Sequence, residues 1–207
     1  MRIVIVSDTH NLHRNLGRLN GDVLIHCGDM FDMFDNAEAS IDAMDSWFGE
    51  QDFAVVLCTG GNHDTELQSA LQYSAQPFRN AVYLEGDSYV HNGLKFWGAP
   101  WTPDLPGHAF YKSAREIKAA WTEIPADTDV LITHTPPRSI LDVSSSGAML
   151  GCAALLGAVT RIRPQVHCFG HVHHSRGMKV QDETRYINAS SVGRNVNGTH
   201  PATFIEI

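Results

Sequence analysis

The sequence predicts an α/β fold, a four-layer α/β/β/α sandwich in which two mixed sheets are flanked by helices. Apolar, β-branched runs recur along the chain, helical segments alternate with the first of them, and the later runs form a second cluster. The 207 residues are enough for one domain with a sizeable core, whereas two domains would be cramped. We therefore expect a single domain spanning residues 1–207.

The first part of the chain alternates strands with helices. Near-continuous apolar runs predict strands over 2–7, 22–27 and 53–58 that are buried on both faces of a sheet. Helical segments over 12–19 and 37–48 lie between them. This alternation predicts βαβ units and a mainly parallel sheet.

The middle and the end of the chain predict a second set of elements. Asn92-Gly93 is a strong hairpin signal, so the short strands around it are expected to form an antiparallel patch. A Pro- and Trp-rich loop follows this patch. The strands expected in the patch are 82–84, 88–91 and 95–98. Beyond the loop, the expected helices are 109–121 and 147–162, and the expected strands are 129–133, 166–169, 178–180, 184–187 and 203–207.

Composition argues against several classes of protein. Hydrophobic residues make up 43% and charged residues 18% of the chain, as in folded globular proteins. The net charge is -8 and no run of Lys or Arg occurs, so a nucleic-acid polymer is not an expected partner. No apolar run approaches the ~18 residues of a membrane span, and the N-terminus offers no signal peptide. We expect a cytoplasmic protein without a membrane partner, and the sequence does not indicate its oligomeric state.

The four cysteines carry no metal or disulfide signature. None of them forms a CxxC pair, and each lies in or beside an apolar stretch. This pattern favours buried free thiols over disulfides or a zinc–thiolate site. The four residues are Cys27, Cys58, Cys152 and Cys168.

Five sequence blocks place metal-binding side chains directly after a predicted strand, where α/β sheets position their ligands. Taken singly, each block has an ordinary explanation: Gly-Asp is usually a turn, and Asn62 could cap a helix. Within Asp8-x-His10 and within His171-x-His173, a spacing of two would point both side chains to one side of an extended chain. The seven candidate ligands are Asp8, His10, Asp29, Asn62, His134, His171 and His173.

Seven ligands suit two cations if one carboxylate bridges them. Mixed imidazole and carboxylate ligands favour manganese, iron, zinc or nickel over calcium or magnesium. We expect two divalent ions, manganese first, with iron, zinc, nickel or magnesium as alternatives. Two ions about 3.5–4 Å apart clamp the attacking and leaving oxygens of a phosphoryl displacement and supply hydroxide near neutral pH.

The order Asp-x-His, Gly-Asp, Gly-Asn-His-Asp, His, Gly-His-x-His resembles the calcineurin-like metallophosphoesterase superfamily. The flanking residues are similar to its small metallophosphoesterase-domain-containing, phosphodiesterase-like branch. The resemblance covers nearly the whole chain. The segments that resemble this branch are 7–10 (SDTH), 22–29 (DVLIHCGD), 98–103 (GAPWTP) and 186–190 (YINAS).

The resemblance implies which of these residues bind each metal ion and which act on the substrate. One ion would take Asp8, His10 and His173, the other Asn62, His134 and His171, with Asp29 bridging. His63 would not be a ligand but would protonate the leaving oxygen or stabilise transition-state charge. Asp64 would orient His63 and raise its pKa.

Other side chains have both a functional and a structural interpretation. Arg138 could hold a phosphate oxygen with its guanidinium fork or be a solvated loop residue. His174 and Arg194 could contact the substrate. Trp97 and Trp101 could stack on a nucleobase, although a place in the core is the more common role for such residues.

Together these features predict a dinuclear-metal-dependent phosphoesterase that hydrolyses small phosphodiesters, cyclic nucleotides among them, by attack of a metal-bound hydroxide. A phosphomonoesterase, including a protein phosphatase, is the alternative within enzymes. A non-catalytic, metal-dependent nucleotide-binding module is the alternative outside them. The expected partner is a small phosphoester, with nucleotides included.

Overall fold

A computed structural model describes residues 1–32, 40–192 and 199–207. The first sheet of the described residues has five strands, in the order β11-β1-β2-β3-β4. β1 to β4 run parallel to one another, and β11 pairs antiparallel with β1. Their bounds are β1 (Arg2–Val6), β2 (Asn20–His26), β3 (Asp52–Cys58), β4 (Val82–Tyr83) and β11 (Thr203–Glu206).

Within the described ranges, the second sheet has six strands in the order β5-β6-β7-β8-β10-β9. Its centre is parallel, while β5 and β9 pair antiparallel at the two edges, so the sheet is mixed. The bounds are β5 (Asp87–His91), β6 (Leu94–Ala99), β7 (Val130–Thr133), β8 (Val166–Phe169), β9 (Gly177–Gln181) and β10 (Thr184–Asn188).

Helices cover the outer face of each sheet. They are α1 (Ile41–Gly49), α2 (Thr65–Ala70), α3 (Ala114–Thr122) and α4 (Ala153–Ile162), with 3-10 turns at His13–Leu16 and His173–Ser175. α1 and α2 pack on the first sheet, and α3 and α4 pack on the second. None of these helices has the length and apolarity that crossing a membrane requires.

Successive residues of β1 face opposite layers, as the two-residue period of a strand demands. Ile3 and Ile5 enter the core between the two sheets, where they meet residues such as Val130. Val4 faces the core under α1, which also contains Trp47. The α/β/β/α sandwich predicted from the sequence is confirmed, because three apolar cores separate its four layers.

Two strands belong elsewhere than the sequence suggested. β4 was expected in an antiparallel patch but pairs parallel with β3, and only β5 and β6 form the hairpin at Asn92-Gly93. The chain then crosses between the sheets, since Tyr83 packs under α1 and Leu84 packs in the inter-sheet core. β11 was expected in the second set, but it joins β1 and buries Ile205 in the inter-sheet core.

Three predicted helices are shorter than expected. The segment 12–19 forms a single 3-10 turn, because Gly17 takes a left-handed φ of 68° after it. α3 begins at Ala114 rather than near residue 109, where Ser113 and Glu116 form a capping box. α4 begins at Ala153, because the preceding chain pairs in an extended form at Cys152 with Pro137. For α1, the expected residues 37–39 lie outside the described ranges.

Buried polar groups in the strands are structural. His167 Nε2–H donates to Thr133 Oγ1 at 2.9 Å, because the Thr133 hydroxyl itself donates to the Thr135 carbonyl. His26 is held similarly, between Thr9 Oγ1 and the Gly28 amide. All four cysteines are buried free thiols, as expected.

Burial should make the His167 ring a source of acid sensitivity. It lowers the pKa of His167 from 6.5 to about 3, so the folded state stays neutral while the unfolded chain takes up a proton below pH 6.5. The stabilisation is present above pH 6.5 and is lost as pH falls towards 3, by about 2 kcal/mol at about pH 5. His167→Gln keeps the donor to Thr133 and cannot ionise, so its acid-induced loss of unfolding free energy should be smaller by that amount.

Urea unfolding of chelator-treated protein at neutral and acidic pH measures this difference. His91→Gln, in the β-hairpin and partly exposed, is the matched control. Identical pH dependence for wild type and His167→Gln would contradict the assignment.

Candidate metal centre

The candidate ligands meet where strands of the two sheets end side by side. The Asp8 amide donates to the Gly28 carbonyl at 2.9 Å, which joins the ends of β1 and β2. His134 Nδ1 donates to the Cys27 carbonyl at 2.9 Å and so links the end of β7 to the first sheet. The carboxyl ends of parallel strands lie at one edge of a sheet, so candidate ligands that are far apart in the sequence meet there.

The first group of ligand atoms comes from Asp8, His10 and His173, all within 4.8 Å of one another. His10 Nδ1–H donates to the Phe31 carbonyl at 3.1 Å, which leaves its Nε2 lone pair facing the group. This Nε2 lies 3.4 Å from His173 Nε2, which is itself 3.2 Å from Asp8 Oδ1. Two ring nitrogens facing each other beside a carboxylate require a proton or a cation between them.

The second group contains Asp29, His134 and His171, again within 4.8 Å of one another. The bond from His134 Nδ1 to Cys27 fixes the tautomer, as it does for many metal-binding histidines. His134 Nε2 then faces Asn62 Oδ1 at 3.0 Å and Asp29 Oδ2 at 3.3 Å. The donor set therefore fits a second cation, with Asn62 beside it.

Asp29 belongs to the second group and also faces His10 of the first group. Its Oδ2 is 3.3 Å from His134 Nε2 and 3.9 Å from His10 Nε2. Its Oδ1 accepts the His63 amide at 2.8 Å, which fixes the carboxylate plane. This is the position that a bridging ligand would occupy.

The electrostatics of the site favour ionised carboxylates. Burial raises the pKa of Asp8, but His173, His134 and His10 outweigh it and hold that pKa well below its usual range. The pKa of Asp29 is likewise lowered, because the pull of His134 and His10 exceeds the effect of burial. Burial lowers the pKa of His134, but Asp29 and Asp8 raise it to about 9. A cation entering the second group would displace the His134 proton.

The backbone at the ligands is left-handed rather than extended. The φ angles are 52° at Asp8, 40° at His10, 53° at Asp29 and 67° at His171. Asp8 and His10 nevertheless enter one group, as their spacing of two predicted. The expectation that His171 and His173 point to one side is wrong, because they enter different groups, as the family resemblance implied. Asp and His tolerate this conformation better than branched residues, and such strain clusters at functional sites.

Two glycines allow the close approach of the ligand loops. A Cβ on Gly170 would lie 2.0 Å from both Asp8 Oδ2 and Ser7 Oγ. A Cβ on Gly61 would lie 2.3 Å from Asp29 Oδ1. Any larger residue at either position would displace a carboxylate.

His63 borders the first group, but Asp64 does not orient it. The rings of His63 and His10 are 4.8 Å apart between centroids, and His63 Nδ1 is buried without a partner among the described residues. Asp64 accepts the amides of Met30 and Phe31 with Oδ1 and the amide of Gly61 with Oδ2. It therefore fixes the loops that carry Asp29 and Asn62. Burial lowers the pKa of His63, opposite to the expected rise.

The other candidates occupy varied places. Arg138 is exposed, and its Nη1 donates to the Met149 carbonyl at 3.1 Å. His174 is exposed beside His173, and its contact with substrate stays a prediction. Arg194 lies outside the described residues. Trp97 and Trp101 are 1% and 9% exposed and pack with α3 and α4, so they have the core role rather than a stacking role.

Sequence patterns missed the residues that hold the ligands in place. Ser190 Oγ donates to Asp8 Oδ2 at 2.6 Å. Asn188 Nδ2 donates to the Val172 carbonyl at 2.9 Å, and its Oδ1 accepts the Ser190 amide at 3.2 Å. The sequence offered only the 186–190 resemblance as a signal, since no spacing rule links a strand-end serine to an aspartate far away in the chain.

Comparison with known proteins identifies the family. The model of the calcineurin-like phosphoesterase family matches residues 1–175. A UPF0046 protein of Caenorhabditis elegans is 33% identical over all of this chain and 81% of its own length. The human metallophosphoesterase domain-containing protein 1 is 29% identical over all of this chain and 71% of its own length. The chain belongs to the calcineurin-like phosphoesterase family, and so to the metal-binding phosphoric ester hydrolases.

A solved structure supports the fold. The phosphopantetheinyl hydrolase of Mycobacterium tuberculosis superposes with a TM-score of 0.64 at 18% sequence identity. The match covers 91% of this chain and 88% of that one. At this identity the likeness concerns the fold alone.

Removing the Ser190 hydroxyl should weaken metal binding. Ser190→Ala deletes the donor to Asp8 Oδ2, and the loss of such an outer contact typically costs about 10–100-fold in metal affinity. We expect at least a tenfold higher dissociation constant for Mn²⁺ in calorimetric titrations. Ser69→Ala, on the exposed surface of α2, is the control. Unchanged Mn²⁺ affinity in Ser190→Ala would argue against this role.

Proposed function

We propose that the protein hydrolyses small phosphodiesters with two divalent metal ions, and that manganese is the preferred metal. The observation that carries the proposal is that one Asp29 oxygen faces both His134 of its own group and His10 of the first group. In this proposal Asp29 bridges the ions. One ion is held by Asp8, His10 and His173, and the other by Asn62, His134 and His171.

The metal ions would lower the pKa of a coordinated water and offset the negative charge of the phosphoryl oxygens. Manganese, iron, zinc and nickel all suit a mixture of imidazole and carboxylate ligands. The protein contributes preorganisation: Phe31 and Cys27 hold His10 and His134 in the tautomer that presents Nε2 to a cation.

In the proposed reaction His63 acts on the leaving group. Its ring is edge-on to His10, and its amide is tied to Asp29 Oδ1, so the imidazole stays beside the centre. A protonated imidazole there would donate to the departing alkoxide oxygen, as general acids do. Asp64 supports this arrangement indirectly, through the backbone of the two ligand loops.

Charge supports a diester over a monoester. In the described part of the chain, no hydrogen bond or ion pair joins a Lys or Arg to any of the seven proposed ligands. A phosphomonoester dianion carries more charge than a diester and benefits from such additional cations. A singly charged diester needs fewer of them.

Loss of the bridging carboxylate should abolish turnover. Asp29→Asn keeps an acceptor for the His63 amide but removes the negative charge, so we expect bis-p-nitrophenyl phosphate hydrolysis with Mn²⁺ to fall by about 10³-fold or more. Elemental analysis should find less metal per chain. His91→Ala is the control, and p-nitrophenyl phosphate should be the poorer substrate. Wild-type turnover in Asp29→Asn would end the proposal, and preference for the monoester would end its diester part.

Removing the His63 imidazole should slow the reaction without emptying the site. His63→Gln should lower kcat by about 10²–10⁴-fold, while the metal content stays at the wild-type value. The loss should be larger for an ester that releases phenol than for one that releases p-nitrophenol, because the poorer leaving group needs its proton more. An equal loss for both esters would show that His63 has another role.

A further inference from the structure

Residues 142–150 form a largely exposed hairpin whose base is bonded to the turn that contains His173, and we call it the 142–150 finger. Val143 and Met149 pair in an antiparallel bridge. The Ser144 amide donates to the Ala148 carbonyl at 2.8 Å, and the Leu150 amide donates to the Asp142 carbonyl at 2.9 Å. The finger therefore has a defined shape rather than being a loose loop.

Hydrogen bonds tie the base of the finger to the loop that carries His171 and His173. Ser175 Oγ accepts the Val143 amide at 2.9 Å and donates to the Val143 carbonyl at 2.7 Å. Ser175 belongs to the same 3-10 turn as His173. Asn188 Nδ2 donates both to the Leu141 carbonyl and to the Val172 carbonyl, so one carboxamide holds the two loops together.

The finger exposes apolar side chains at this place. Val143, Met149 and Leu150 are 42%, 48% and 46% exposed. They make up three of the nine large hydrophobic residues that are exposed in the described ranges, although the finger has only nine residues. Val143 and Met149 are opposite each other in the bridge and share one face of the finger, whereas Leu150, the next residue, lies on the other face. An exposed apolar pair beside a site suits contact with a ligand.

The chemistry of the finger specifies the class of ligand. No charged residue occurs from Val143 to Leu150, and the segment contains no aromatic ring. Two of its hydroxyls, those of Ser144 and Ser146, bond to each other at 2.9 Å. Arg138, outside this segment, donates to the Met149 carbonyl. A nucleobase or a sugar would find few partners on the apolar side chains, whereas an alkyl chain in contact with them would lose water-exposed surface.

We infer that the 142–150 finger binds the apolar ester group of the substrate, so that the preferred substrates are phosphodiesters with one alkyl group. This rests on the proposed function for the position of the phosphate. The occupant is the ester group of a single substrate molecule, because the finger is bonded to the turn that contains His173. Met149 supplies an unbranched, adaptable contact for chains of different shape.

A chain-length series tests this inference. Alkyl p-nitrophenyl phosphates from methyl to hexyl, each below its aggregation limit, should show kcat/KM rising about twofold per methylene, since a finger covers one side of the chain. Met149→Gln should flatten the series. Val90→Gln, a 60% exposed position on the β5 edge, should keep it. A flat series in the wild type would overturn the inference.

Binding measurements separate this inference from the proposed function. Calorimetry of the Mn²⁺-loaded protein should find hexylphosphonate bound more tightly than methylphosphonate, with the difference removed in Met149→Gln. If hexylphosphonate binds more tightly than methylphosphonate but no ester is hydrolysed, the proposed function is wrong and the binding site on the finger is still supported. If turnover occurs but neither affinity nor rate depends on chain length, the finger site fails. A dependence seen only with phospholipid vesicles would assign the finger to a membrane surface and overturn the single-molecule site.

Discussion

The buried Asp29 carboxylate, set between two groups of imidazole rings, is the interaction on which the rest of the structure depends. An isolated ionised carboxylate in a protein interior is strongly unfavourable unless opposite charge and hydrogen bonds compensate it. Asp29 receives the His63 amide on one oxygen and faces His134 and His10 with the other. The ends of β1, β2, β3 and β7 must therefore stay together, since each carries part of this compensation.

The loops that surround Asp29 take backbone conformations that most residues avoid. Asp8, Asp29 and His171 have left-handed φ values and lie within three residues of the end of a strand. Gly61 and Gly170 leave room for the carboxylates to come within contact distance of the backbone. The two sheets and their three cores are rigid enough to hold this strain, which is a common arrangement where ligand geometry matters more than local stability.

Asn188 and Ser190, at the end of β10, connect the loops that carry the ligands to neighbouring parts of the structure. Asn188 holds the loop of His171 and His173 and, through Leu141, the base of the 142–150 finger. Ser190, two residues later, donates to Asp8. In the proposed enzyme, metal geometry and substrate selection would therefore depend on the same strand end, because β10 lies beside β8 and supports both loops.

The sequence by itself determined the sandwich, most of its strands and the seven residues that meet at one edge, because apolar periodicity and strand-end motifs are local signals. The tertiary structure decided the pairing of β4 and β11, the left-handed backbone at the ligands, and the partners of Asp64. These outcomes depend on hydrogen bonds between residues far apart in the chain, such as that from Ser190 to Asp8, 182 positions away. Such contacts exist only after the sheets have packed, so no local pattern of residues encodes them.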